Sequence, residues 1–291
     1  MENRLEVVTS KKGEPRRTKP FHEEVKETSE SAIGQALDKF DYSHFSASTH
    51  SSVKFDGRER GGLKISREAL AEPAREVSLN FFHVASHLVT LHENDLVASE
   101  RYDMLALRLI SGTAERLFKR VLIASVQKGE GRTSVLLNLA GALSRAGKRV
   151  LVVDTDFVKP SVTRLLGIES QIGLAEAYGR SLSPGAAIAR ILPSDFHVLP
   201  TRERIDNSVE ILTSPVFHEM LEILDPNYDF ILFDSPPMSD RADCSMLIKL
   251  VDTALVVIRQ GATKASQLSK AIEQLSQEDI FGVVLNRIAD H

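Results

Sequence analysis

The sequence predicts an α/β fold, a mostly parallel β-sheet with helices on both faces, and three observations predict it. From about Arg120 onward six apolar runs recur, "VLIASV", "RVLVVD", "FHVLP", "DFILFD", "TALVVI" and "GVVLN". They are β-branched and nearly continuous, as strands buried on both faces must be. Helical patterns separate them: in "TSVLLNLAGALSRAG", Leu136, Leu139, Ala140 and Leu143 fall on one stripe and Gly147 is a natural terminator. Polar and glycine residues directly follow several of the runs, where an open sheet joined by right-handed crossovers holds its ligands.

The elements follow in order. Residues 1–69 carry dense charge of both signs and little sustained periodicity, which predicts a largely disordered tail. Within it, "SAIGQALDKF" sets Ile33, Leu37 and Phe40 on one face of a short helix, able to dock on a partner or on the chain's own core. Residues 70–118 form a helical lead-in, its clearest helix running from Val97 to Ser111. His83 and His87 lie four apart, a metal-ligand spacing on a helix, but no third ligand follows, so a structural role is expected. Residues 119–291 form the main domain.

Composition narrows the function classes. A chain of 291 residues, 42% hydrophobic, can bury one sizeable core, and a net charge of −4 gives no global attraction for nucleic acid. A single cysteine, Cys244, excludes an intramolecular disulfide, and no secretory pattern opens the chain. No apolar run reaches the roughly 20 residues of a membrane-spanning helix. A cytoplasmic location is expected, with any membrane association made through a partner.

The chemistry concentrates at three strand ends. After the first run come Gly129, Glu130, Gly131, Arg132, Thr133 and Ser134, then a helix. Glycines let the backbone turn its N–H groups toward phosphate oxygens, and the helix N-terminus adds partial positive charge, the arrangement of a P-loop NTPase fold. Thr133 is placed to ligate magnesium. Asp154 and Asp156 follow the second run, and Asp234 ends another before Pro236 and Pro237. Carboxylates there can hold a magnesium-bound water or orient a nucleophile, or they can cap the next turn. Asn286 ends the last run, and its amide can offer the adenine both a donor and an acceptor.

These residues resemble the bacterial tyrosine kinases, cytosolic P-loop kinases of capsule and exopolysaccharide synthesis, over roughly Leu91 to Asn286. "SVQKGEGRTS" followed by "VLLNLA" matches the family's Ser-x-x-Pro-Gly-Glu-Gly-Lys-Ser/Thr-Thr and Asn-Leu-Ala at Ser125, Gly129, Glu130, Gly131, Thr133 and Asn138. "DTDFVKP" matches Asp-x-Asp-Leu-Arg-x-Pro, and "DSPP" its Walker B motif. The resemblance implies ATP and Mg²⁺ as cofactors, with Arg132, Asp154 and Asp156 catalytic and Thr133, Asp154 and Asp234 at the metal. It also implies a membrane-bound polysaccharide co-polymerase or adaptor as partner, a protein tyrosine as phosphate acceptor, and homo-oligomer formation.

The departures bear on each point. Arg132 stands where the family has lysine and Val158 where it has arginine. Asp103 and Ala106 replace both arginines of the family's subunit-contact motif, with Arg101 and Arg108 on different helical faces. The chain ends at "NRIADH" without a tyrosine-rich tail, and Tyr42, Tyr102, Tyr178 and Tyr228 form no cluster. Arginine keeps lysine's charge but not its compact head group, so nucleotide binding can survive where catalysis does not. Three functions are therefore weighed: a tyrosine-kinase-like ATPase whose acceptor is a partner, a catalytically impaired nucleotide switch docking on a membrane co-polymerase, and a partitioning-type ATPase. The last requires a signature lysine at a position held by Gln127.

Overall fold

A computed structural model describes residues 4–8, 73, 75–180, 182–239, 243–275 and 280–288. The strands are β1 (Arg4–Val8), β2 (Arg75–Ser78), β3 (Arg120–Ser125), β4 (Val150–Asp154), β5 (Ala189–Leu192), β6 (Phe196–Leu199), β7 (Phe230–Asp234), β8 (Thr253–Arg259) and β9 (Ile280–Ile288). They form one sheet in the order β1-β9-β8-β3-β7-β4-β6-β5-β2. From β9 to β6 every neighbouring pair is parallel, and the β1–β9 and β5–β6 pairs are antiparallel. All six apolar runs are strands of this sheet. Every residue of β4 and β7 is buried, which is why those runs show no polar alternation.

The helices are α1 (Val89–His92), α2 (Leu96–Glu115), α3 (Arg132–Arg145), α4 (Val162–Leu166), α5 (Leu174–Gly179), α6 (Ser208–Thr213), α7 (Pro215–Leu224), α8 (Asp243–Leu247) and α9 (Ala265–Gln274). Strand alternation divides the core in two. Val121 and Ile123 of β3 pack with Leu105 and Leu109 of α2 and Leu136 and Leu139 of α3. Leu122 and Ala124 face the other way, toward Leu221 of α7, Leu247 of α8 and Leu268 of α9. The period of two along a buried strand thus feeds two apolar layers from one sequence run.

The lead-in segment is fastened to α3 by polar contacts. Buried Asn138 accepts from Thr90 N (3.0 Å) through Oδ1 and donates through Nδ2 to the carbonyls of His87 (3.1 Å) and Ser134 (2.9 Å). Arg145 reaches Thr90 O (2.7 Å), Ser99 Oγ (2.9 Å) and Asp103 (2.6 Å). A side chain at Gly141 would place its Cβ 2.7 Å from Thr90 Oγ1, so the close approach of α1 to α3 requires glycine there.

The structure refines several of these expectations. Within the tail expected to be largely disordered, Arg4–Val8 pairs with Val283–Ile288 as an edge strand, because β9 leaves an edge that the alternating "RLEVV" can occupy. The helix proposed at "SAIGQALDKF" lies outside the described residues. The lead-in is not wholly helical: Arg75–Ser78 runs parallel to β5, a half-buried edge strand too short to show a pattern without its partner. His83 and His87 sit in turns before α1, not one helical turn apart. α2 outruns the expected Val97–Ser111 helix at both ends, opening where the Asp95 carboxylate accepts from Ala98 N at 2.9 Å.

Candidate nucleotide-binding site

β3 enters the sheet centre and delivers a tight loop to the start of α3. Gly129 and Gly131 have φ of +83° and +93°, the left-handed region that favours glycine. At Gly131 there is a second constraint, since a Cβ would lie 2.2 Å from Asn286 Nδ2. The Asn286 amide donates to Glu130 O at 2.8 Å, so the end of β9 braces the loop from below. Glu130 turns inward: its carboxylate accepts from Gln127 N (2.8 Å) and from the Thr263 hydroxyl, and burial raises its pKa. The loop is thereby tied to its own Gln127 and to residues that follow β8 and end β9.

The sheet register brings the aspartates together. Asp154 and Asp234 are paired residues at the C-terminal ends of neighbouring β4 and β7, both fully buried. Thr133 Oγ1 donates to Asp234 Oδ2 at 2.6 Å and stands 2.9 Å from Ser161 Oγ. Asp154 spends its oxygens on backbone donors, Asp156 N through Oδ1 and Ser161 N and Val162 N through Oδ2, each at 3.2 Å. It therefore also caps the chain entering α4. Burial pushes the Asp154 carboxyl well above the usual range, with nearby Asp234 adding to the effect. Burial likewise raises Asp234, to about 6, against the pull of Arg132 and the Thr133 hydrogen bond. Asp156 is raised by burial, with Arg132 opposing.

Arg132 is the residue whose placement sequence reasoning did not foresee. Expected to face phosphate, its side chain turns back onto the carboxylates: Nη2 lies 2.8 Å from Asp156 Oδ2, Nε 3.3 Å from Asp234 Oδ1, and Nη1 donates to Ser125 Oγ at 2.8 Å. Ser134 sits in the first turn of α3, its carbonyl taken by Asn138. The structure thus gathers Arg132, Thr133, Asp154, Asp156 and Asp234 at one spot, with Glu130 and Asn286 beneath the loop.

Three supporting residues escaped the sequence reading. Ser161 and Thr263 contact Thr133 and Glu130, and the Thr201 hydroxyl holds Asp154 O at 2.7 Å. Each lies in a loop beyond the carboxyl end of a strand, which was the available signal. Among the described residues no three His, Cys, Asp or Glu side chains enclose a metal by themselves. Magnesium at a phosphate loop needs none, because a hydroxyl, waters and phosphate oxygens complete its shell. The donors present fit that ion.

A strand, a glycine loop, a helix N-terminus and two strand-end aspartates in register define a phosphate-loop ATPase domain. The chain belongs to the AAA domain family, whose model matches residues 119–281. It is 28% identical over 202 residues to the tyrosine-protein kinase YwqD of Bacillus subtilis, covering 69% of this chain and 85% of that one. It is similar to the VpsO kinase domain at 28% identity and a TM-score of 0.58, over 65% of this chain and 97% of that one. The kinase domain of the Escherichia coli tyrosine kinase ETK shares the fold, with a TM-score of 0.65 at 21% identity over 79% of this chain and 98% of that one. YwqD and ETK, and CpsD of Streptococcus pneumoniae at 28% identity over 198 residues, are tyrosine kinases by name, in line with the family the sequence motifs resemble.

Proposed function

We propose that this chain is a tyrosine-kinase-like P-loop ATPase that regulates exopolysaccharide or capsule synthesis, passing the γ-phosphoryl of MgATP to a protein tyrosine. The observation that carries the reading is the convergence of Thr133 on Asp234 at the mouth of the loop, with Asp154 beside it in register. The loop N–H groups from Gly129 to Thr133 would cradle the phosphates, with Asn286 holding the loop in that shape through Glu130 O. Thr133 and Asp234, with Asp154 behind them, would hold the magnesium shell, and bound magnesium would neutralise charge on the transferring group. Asp156 would orient the attacking hydroxyl.

The acceptor in this reading would lie on a partner. Tyr102 and Tyr228 are 2% exposed, Tyr178 is half-buried, and Tyr42 lies outside the described residues. Among the described residues no helix is long and apolar enough to cross a membrane, which fits a cytoplasmic chain that meets a membrane co-polymerase through contact. Asp103, at a family subunit-contact position, is engaged with Arg145, and Ala106 is buried, so any homo-oligomer would use other contacts. A second reading, a nucleotide switch without turnover, is favoured by the ion pairs that hold Arg132 on Asp156 and Asp234. ATP binding and turnover of this chain beside Arg132→Lys test both: turnover with phosphate on a partner tyrosine supports the kinase, and tight binding with no turnover in either form selects the switch.

A further inference from the structure

Arg132 is 8% exposed and all three of its guanidinium nitrogens are engaged, on Ser125, Asp156 and Asp234. Those acceptors come from three separate places, the end of β3, the loop after β4 and the end of β7. Asp156 is 6% exposed and Asp234 fully buried, with Asp154 immediately beside them. Buried carboxylates so close together need either hydrogen-bond donors or a counter-ion. Asp154 obtains donors from three backbone N–H groups. Asp156 and Asp234 accept from Lys159 N (3.1 Å) and the Thr133 hydroxyl (2.6 Å) and share the counter-ion. A lysine head group is a compact point charge, whereas the planar fork of arginine can span acceptors on different elements at once.

We propose that Arg132 is a resident cation of this site: it is the counter-ion shared by Asp156 and Asp234 where a divalent ion would otherwise sit, and it serves phosphate only once drawn off them. A positive group against Asp234 Oδ1 disfavours a second cation on the same carboxylate. Phosphate oxygens offer the guanidinium equivalent paired acceptors, so their arrival gives it somewhere to go. That second half rests on the phosphate reading above; the first does not.

The test therefore has two arms. In the first, the full chain, Arg132→Ala and Arg132→Ala/Asp234→Asn are melted without nucleotide, with and without millimolar magnesium chloride. The parent should be indifferent to magnesium. Arg132→Ala should melt lower and recover in part with magnesium, and removing the Asp234 charge should restore stability and abolish that response. Magnesium raising the parent as much as Arg132→Ala, or Asp234→Asn adding its own loss to that of Arg132→Ala, overturns the resident-cation claim. Should Arg132→Ala not fold, Arg132→Lys takes its place, with a magnesium response the parent lacks as the expected result and no such response as the refutation. In the second arm, calorimetry follows ADP binding in EDTA. Asp156→Asn should tighten binding about fivefold or more in the Arg132 chain, by freeing the guanidinium, and clearly less in an Arg132→Lys background. Equal gains in both would reduce the effect to general charge and overturn the restraint. Absence of ADP binding in every form would sink the phosphate reading and the release step with it, while the melting arm still decides the resident cation.

Discussion

At the scale of single residues, the site is governed by what Arg132 can and cannot do with one positive charge. Once drawn off the carboxylates, arginine attracts phosphate in the ground state much as lysine does, but a compact ammonium can follow charge as it develops during transfer. Arg132→Lys should therefore raise turnover more than affinity, by about tenfold or roughly 1.4 kcal/mol of barrier. Steady-state ATPase rates beside binding constants check this, and an arginine form already as fast as the lysine form would refute it. Asp234→Asn should keep the fold and remove the contribution of magnesium to ATP binding, measured by titration with and without EDTA. The same residue has a pH signature. Its folded pKa is raised, to about 6, chiefly by burial, so the folded state holds the proton that the unfolded chain releases near the ordinary carboxylate range. Stability from this group is present at low pH and lost as pH rises through about 6. Melting temperatures from pH 4 to 7 should show that decline in the parent and a shallower one in Asp234→Asn.

At the scale of elements, two attachments decide whether the loop is presented correctly. Asn138 lies fully buried on α3 and binds both Thr90 and His87 of the lead-in. Asn138→Ala would leave the Thr90 N–H and the His87 carbonyl without this partner. The expected cost is about 1–3 kcal/mol, the cost of leaving one buried donor, the Thr90 N–H, unsatisfied. Chemical denaturation measures it, and a cost below about 0.5 kcal/mol, the level of an ordinary surface change, would show that the lead-in is held without Asn138. The second attachment is β1. Deleting residues 1–8 uncovers the edge of β9, the strand that ends beside Asn286. A fall of a few degrees in melting temperature is expected, together with faster amide exchange along Val283–Asn286. The tail taken as one dispensable unit would predict neither change.

At the scale of the whole molecule, the tyrosines are the informative residues. Tyr102 is packed in the core, and burial raises its pKa despite a hydrogen bond with Asn138. The Tyr228 hydroxyl lies 2.8 Å from His197 Nδ1, with its ring edge-on to the imidazole. Neither can enter another copy's active site without breaking the core. Incubation with MgATP should thus leave Tyr102 and Tyr228 unmodified by mass spectrometry, with phosphotyrosine appearing on an added partner protein. Stoichiometric phosphate on either residue would contradict both the fold and the proposed acceptor.

The central strands, the helix of the loop and the motif residues of the candidate site were legible in the sequence because each rests on local information. A strand buried on both faces must be continuously apolar, and a phosphate loop needs glycines at fixed spacing before a helix. The short strands Arg4–Val8 and Arg75–Ser78 at the two edges, and Ala189–Leu192 next to the second of them, were not legible, because so few residues carry no period of their own and pair only where a neighbouring strand receives them. The sequence placed Asp154, Asp156 and Asp234 at strand ends and Arg132 at a helix start, each beside its local element. Only the register of β4 against β7, and the passage of α3 across their ends, decided that these four meet. That meeting turns a cation expected to face phosphate into one bound to the protein's own carboxylates, since buried negative charge takes the nearest positive group the fold provides.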